Sequence, residues 1–118
     1  MTGSSLASKL NLKPGMKVRV VGKPSDVILA GVATDAAKAE AVIVFVKTLA
    51  EVGSRAGPAI DAAREDRIAW LAYPKAGKLD TDLNRDILWR HMLSKGIQGV
   101  RQIALDEVWS AMRFRPKK

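Results

Sequence analysis

Short apolar blocks alternate with polar, helix-forming stretches along this chain. Three blocks have the length and the β-branched or aromatic content of strands, at residues 16–21, 41–46 and 67–73. The middle block is apolar at every position, which is typical of a strand covered on both faces. Residues 26–34 fit a strand and a short helix about equally well, and the pattern leaves that choice open.

Two stretches between the strand blocks carry helical patterns. Over residues 48–65, apolar side chains recur at steps of three and four residues and form one stripe: Leu49, Val52, Ala56, Ile60 and Ala63. Pro58 interrupts the stripe, which predicts a bent helix or two short ones. Asp80, Thr81 and Asp82 suit the start of a second helix over residues 83–95, and Gly96 suits its end.

The last third of the chain predicts a hairpin, with strands at residues 99–105 and 108–115 around a turn at Asp106 and Glu107. This order predicts an α/β fold with a mostly parallel sheet, flanking helices in a three-layer-like arrangement, and a C-terminal antiparallel hairpin. We expect one domain over residues 1–118, with a flexible basic tail at 115–118.

The chain has 20 lysines and arginines against 12 acidic residues, a formal charge of +8 in 118 residues. Such an excess favours anionic partners, and the alternative is that it only keeps the protein in solution. The chain contains no cysteine and no apolar run of membrane-spanning length. We therefore expect a cytoplasmic protein with no membrane partner, either a monomer or a homodimer.

Three segments carry a resemblance to a known family. The first, residues 12–18, reads LKPGMKV; the second combines WLAYPK at 70–75 with TDLNRD at 81–86; the third combines VRQ at 100–102 with Asp106, WSA at 109–111 and RF at 113–114. Together they resemble a family of small bacterial proteins of unknown function, over about residues 5–116. That family is distantly similar to a truncated class I methyltransferase. The resemblance implies a truncated Rossmann-like fold and not an activity, because the family has no established catalytic residues to carry over.

The sequence gives little support for a cofactor site, a metal site or a catalytic site. A methyltransferase holds S-adenosylmethionine beyond a glycine-rich first turn, but here the first strand ends in Gly22, Lys23 and Pro24. The chain has one histidine, His91, in the middle of a predicted helix, so a zinc site lacks ligands. We expect no cofactor, no metal and no catalytic residue.

Topology points to a different kind of site. Ligands of open α/β sheets bind beyond the carboxyl ends of the parallel strands. Those ends should gather a rim of six residues that could hold a phosphate or carboxylate: Lys23, Lys47, Lys75, Lys78, Thr81 and Trp109. Trp109, beside Arg113, could stack on a base or pack on the sheet, and packing is favoured; Trp70 and Trp89 are expected in the core.

The sequence thus predicts a non-catalytic binding domain on a degenerate methyltransferase-like scaffold, whose partner is an anionic small molecule or a protein. One alternative is a nucleic-acid-binding protein, whose affinity would fall steeply with salt. The other is a small enzyme such as a methyltransferase that uses S-adenosylmethionine.

Overall fold

The structure is a computed structural model that describes residues 9–10, 12, 16–25, 27, 33–34, 39–75, 77–79 and 81–117. This part of the chain contains six strands and three helices. The strands are β1 (Lys17–Val21), β2 (Ala33–Thr34), β3 (Ala41–Phe45), β4 (Ile68–Pro74), β5 (Ile97–Ala104) and β6 (Trp109–Pro116). The helices are α1 (Leu49–Arg55), α2 (Gly57–Arg64) and α3 (Arg85–Leu93).

All six strands join one mixed sheet in the order β2-β1-β3-β4-β6-β5. The pairs β1–β2, β1–β3 and β3–β4 are parallel, whereas β6 is antiparallel to both β4 and β5. The predicted α/β class, mostly parallel sheet and terminal hairpin are therefore confirmed. Because β6 lies between β4 and β5, the hairpin joins the sheet through its second strand.

The helical stripe after β3 forms two short helices. Thr48 caps α1, since its side chain accepts a hydrogen bond from the Glu51 N–H at 3.2 Å. Ala56 ends α1 and also precedes α2, whose first turn contains Pro58. Proline is tolerated in a first turn because the N–H it lacks has no helical partner there. Of the two predicted forms, the interrupted helix is the one observed.

The two faces of the sheet are covered differently. Alternate residues of β3 face opposite sides, so that Val42 and Val44 join a core cluster with side chains of all three helices, and Ile43 and Phe45 join a second cluster. The second cluster is closed by residues that precede β1 or follow it: Leu10, Leu12 and Val27. The helices α1, α2 and α3 therefore lie on one face. The predicted three-layer-like arrangement stays a prediction, because most of the segments that flank β1 lie outside the described residues.

Loop segments seal the second face by direct bonds as well as by packing. The indole N–H of the fully buried Trp70 donates a hydrogen bond to the Leu10 carbonyl at 3.0 Å. Of the ambiguous segment 26–34, Ala33 and Thr34 pair with β1 as the short strand β2, and residue 27 is buried. Residues 26 and 28–32 lie outside the described residues.

The C-terminal segment predicted as a flexible tail is instead largely part of the sheet. Strand β6 continues through Arg115 to Pro116, and the Arg115 guanidinium forms two bonds of 2.9 and 3.1 Å to the Asp66 carboxylate. The Lys117 N–H donates to the Gly96 carbonyl at 3.0 Å, and residue 118 is not described. Among the helices described, none is long and apolar enough to cross a membrane.

Candidate functional site

The carboxyl ends of the three long parallel strands meet at one edge of the sheet, as the sequence predicted. Lys23, Lys47 and Lys75 each follow the end of one of these strands, β1, β3 and β4. A cleft of about 460 Å³ opens at this edge, on the helix-covered face. We call it the α3 cleft, and seven described residues line it: Tyr73, Lys75, Asn84, Arg85, Asp86, Gln102 and Ser110.

The pairing of β4 with β6 brings together the residues that form the floor of the α3 cleft. Tyr73 at the end of β4 lies directly opposite Ser110 near the start of β6. The Lys75 N–H donates to the Val108 carbonyl at 2.7 Å, which continues the β4–β6 pairing beyond the strand. Lys75 is thereby held beside the hairpin, at the mouth of the cleft.

The first turn of α3 forms the opposite wall. Asn84 is its N-cap, and the Asn84 side-chain oxygen accepts a hydrogen bond from the Ile87 N–H at 2.9 Å. The cap fixes where the helix begins and therefore places Arg85 and Asp86 in the turn that borders the cleft. Leu88 and Met92, further along the same helix, are buried against the sheet and hold α3 in place.

The hydroxyl of Tyr73 is the unusual group in this site. Tyr73 is only 2% exposed, and its hydroxyl oxygen has no hydrogen-bond partner among the described residues. Loss of hydration raises the pKa of Tyr73 above its ordinary value, and the positive charge of Arg85 opposes this in part. The phenol therefore remains neutral near pH 7 and keeps a proton to donate.

Among the described residues that line the cleft, the charged groups are two cations and one carboxylate. Lys75 and Arg85 carry positive charge, and Asp86 carries the negative charge. Arg85 and Asp86 approach to 3.7 Å, but both side chains are well exposed, 70% and 64%, so the attraction between them is weak. The described part of the lining is thus net positive, and the Arg85 guanidinium is not held tightly by its neighbour.

The other rim residues serve the fold. Lys23 turns back on its own loop, where the ammonium group donates to the Pro24 carbonyl at 3.0 Å and to the Val27 carbonyl at 2.5 Å. The Thr81 hydroxyl donates to the Lys47 carbonyl and accepts from the Leu83 N–H at 3.0 Å. Thr81 therefore connects the loop before α3 to the end of β3.

The two remaining lysines of the predicted rim lie outside the α3 cleft as well. The Lys47 N–H donates to a side-chain oxygen of Glu51 at 2.6 Å, and the Lys47 side chain is exposed. Lys78 is exposed in the loop after β4, where its N–H donates to the Lys75 carbonyl at 2.9 Å. Of the six residues predicted, only Lys75 lines the cleft.

The structure confirms the favoured packing of one tryptophan and overturns the expected burial of another. Trp109 is 3% exposed and contacts Phe45 edge to face, with ring centroids 5.3 Å apart, so its ring is packed on the sheet and is not at the rim. Trp89, expected in the core, is 43% exposed. The buried face of α3 is set by Leu88 and Met92, and Trp89 lies off that stripe because each helical residue is rotated by about 100° from the last.

Sequence reasoning missed most of the cleft. No local signal marks Arg85, within the predicted helix 83–95, or Tyr73, at the end of an apolar strand block, as a site residue. Gln102 and Ser110 could not be placed next to α3 from local pattern. The predicted hairpin of residues 99–105 and 108–115 left open which of its strands pairs with 67–73, and the pairing of β4 with β6 is what puts Tyr73 opposite Ser110.

Comparisons with protein-family models, with curated proteins and with solved structures find no match to this chain. The resemblance to a family of small bacterial proteins therefore stays a prediction from the sequence. Within the described ranges, no group of three histidine, aspartate or glutamate side chains could hold a metal ion.

Proposed function

We propose that this chain is a non-catalytic binding domain whose α3 cleft holds an anionic group of its ligand. The observation that supports this most directly is the buried Tyr73 hydroxyl, which has no partner among the described residues and lies in a cleft shared with Lys75 and Arg85. A buried polar group without a partner is costly to a fold, and a ligand oxygen would remove that cost.

The chemistry of the lining suits a phosphate or a carboxylate. The Tyr73 hydroxyl would donate a hydrogen bond to a ligand oxygen, and the Arg85 guanidinium could donate two parallel N–H···O hydrogen bonds to the same group. Lys75 adds a second cation at the mouth, and Ser110 and Gln102 add neutral polar groups. Charge-assisted hydrogen bonds of this kind are about twice as strong as neutral ones.

A small molecule fits the cleft better than a protein surface does. The volume of about 460 Å³ lies in the range of small-molecule sites, roughly 300–1,000 Å³. The positive lining favours a ligand that carries an anionic group. An acidic side chain of a partner protein would satisfy the same groups, and competition with a small anion would reveal it.

A degenerate methyltransferase-like scaffold is consistent with this function. The parallel strands followed by a reversed hairpin support such a scaffold, and other parts of the chain pack closely against Gly22 at the end of β1. A side chain at Gly22 would come within 3.0 Å of the Phe45 carbonyl oxygen and 3.3 Å of an Arg55 guanidinium nitrogen. Binding at the α3 cleft is therefore favoured over methyl transfer from S-adenosylmethionine at β1.

Titration with inorganic phosphate, followed by amide NMR shifts, tests the proposal. We expect shifts that cluster at Tyr73, Lys75, Arg85 and Ser110, and a loss of binding in the double variant Lys75→Gln with Arg85→Gln. Lys78→Gln is the matched control, since it removes a neighbouring cation outside the cleft and should bind normally. Shifts spread over the whole basic surface, or equal losses in the control, would contradict the proposal.

Nucleic-acid binding is the second candidate, and one observation favours it. Trp89 and Arg101, both exposed, lie together in a groove near the cleft, and such a pair can stack on a base. Binding of a single-stranded oligonucleotide that weakens steeply with salt would support this candidate. Binding that is absent at low salt would exclude it.

A further inference from the structure

A second depression continues the α3 cleft along the outer side of α3. We call it the Trp89 groove; its volume is about 310 Å³, and eight described residues line it: Arg85, Asp86, Trp89, Gly99, Val100, Arg101, Gln102 and Met112. Arg85, Asp86 and Gln102 line both depressions. The two volumes are therefore neighbouring parts of one extended site.

The Trp89 groove brings together apolar side chains that usually avoid water. Trp89 is 43% exposed and Val100 is 46% exposed, and both line the same groove. Val100 lies at the irregularity of β5 between Gly99 and Arg101, where the pairing with β6 shifts register. The groove thus offers an aromatic ring and an apolar side chain to a ligand.

Gly99 allows the indole to lie close to the strand. A side-chain carbon at Gly99 would come within 3.2 Å of Cδ1 of Trp89 and within 2.7 Å of Sδ of Met112. With no side chain at this position, Trp89 can rest against β5 and is supported from below. Because β5 already restricts the Trp89 ring, the ring loses little conformational entropy when a flat ligand packs on it.

Three kinds of chemistry follow one another along the extended site. The α3 cleft supplies Lys75 and the Tyr73 hydroxyl. The shared section supplies a carboxylate and an amide beside the Arg85 guanidinium, and the far end supplies Trp89 beside Arg101. The cation would bind a phosphate, the polar groups would bind the hydroxyls of a ribose, and the aromatic ring would stack on a base. The three groups lie in the order in which a nucleotide carries phosphate, ribose and base. A carboxylate such as Asp86 is suited to accept hydrogen bonds from two sugar hydroxyls.

We propose that the ligand is a nucleoside phosphate, with its phosphate in the α3 cleft, its ribose at Asp86 and Gln102, and its base against Trp89. This inference rests on the proposed anion site and names the class of molecule that fills it. The nucleotide could be free or could be one unit of a single strand, since the same three groups are present in both.

Calorimetric titration with inorganic phosphate, with adenosine monophosphate and with a short single-stranded RNA tests the inference. We expect the mononucleotide to bind at least about tenfold more tightly than phosphate, because stacking of a base on an aromatic side chain commonly contributes a factor of this size or more. Trp89→Leu should remove that gain and leave phosphate binding unchanged. Leu79→Ala, which truncates an exposed apolar side chain outside both depressions, should bind as the unaltered protein does.

The outcomes separate the two proposals. Phosphate binding with no gain from the nucleoside, or a Trp89→Leu variant with unchanged nucleotide affinity, would overturn the nucleoside phosphate and leave the anion site standing. Absence of binding by phosphate, mononucleotide and RNA alike would overturn both. RNA that binds more tightly than the mononucleotide identifies the strand as the source, and equal affinities identify the free nucleotide.

Fluorescence gives an independent readout. Trp70 and Trp109 are buried, at 0% and 3% exposure, so quenching on addition of a nucleotide would report on Trp89. We expect adenosine monophosphate to quench the emission and to protect it from acrylamide, whereas phosphate should do neither. Unchanged emission at saturating nucleotide would show that the base does not contact the indole.

Discussion

Replacing Tyr73 by phenylalanine should stabilise the free protein and weaken anion binding at the same time. The substitution removes one hydroxyl and leaves the ring, which is 2% exposed, in place. In the free protein that hydroxyl has no partner among the described residues, so its removal ends a desolvation cost. In the complex we propose, the same removal deletes a hydrogen bond to a charged oxygen.

The size of each effect follows from ordinary magnitudes. An unsatisfied buried polar group costs about 1–3 kcal/mol, and we take the lower end of that range, about 1 kcal/mol. Unfolding entropies of about 2.1 cal/mol/K per residue then give a rise in Tm of about 4 °C for 118 residues. A hydrogen bond to a charged group contributes about 1.5–3 kcal/mol, so phosphate affinity should fall roughly 10- to 100-fold.

Thermal unfolding without ligand and calorimetric titration with phosphate measure the two effects. Thr81→Val is the matched control, since it also deletes one hydroxyl but one that has partners on both sides. It should lose stability and keep its affinity. A Tyr73→Phe protein that unfolds at a lower temperature than the parent would refute the reasoning, because it would show that the hydroxyl already has a partner in the free protein.

Three further predictions concern the same region. Tyr73 is the only tyrosine, so absorbance near 295 nm should report its titration, with a midpoint above pH 10 in the folded protein and about 10 in denaturant. The free energy of unfolding should then fall above pH 10, and more steeply than in Tyr73→Phe. Equal midpoints in the folded and denatured protein would contradict the raised pKa. Thr81→Val should cost about 1–2 kcal/mol in urea denaturation, because the Lys47 carbonyl loses its donor, and an unchanged midpoint would contradict that role. Gly22→Ala should lower the free energy of unfolding by about 1–2 kcal/mol or more in urea denaturation. Gly22 has a φ of 74°, and a methyl group there would meet the Phe45 carbonyl oxygen at 3.0 Å. An unchanged free energy of unfolding would show that this turn relaxes freely.

Local pattern determined the elements of this protein. The β-branched runs became β1, β3 and β4, and Pro58 divided one apolar stripe into two helices, because side-chain periodicity and proline geometry act within a few residues. The parallel course of β3 and β4 also followed from the helical stretch between them. The prediction of a mostly parallel sheet placed Lys23, Lys47 and Lys75 at one edge.

Tertiary structure alone decided which of these residues share a site. Insertion of β6 between β4 and β5 put Ser110 opposite Tyr73, and the packing of α3 turned Trp89 outward while Trp109 went into the core. The physical reason is that strand partners and buried helix faces are chosen by contacts between segments far apart in the chain. Periodicity within a segment tells which residues can be buried together, but the neighbours across a cleft depend on how the segments pack.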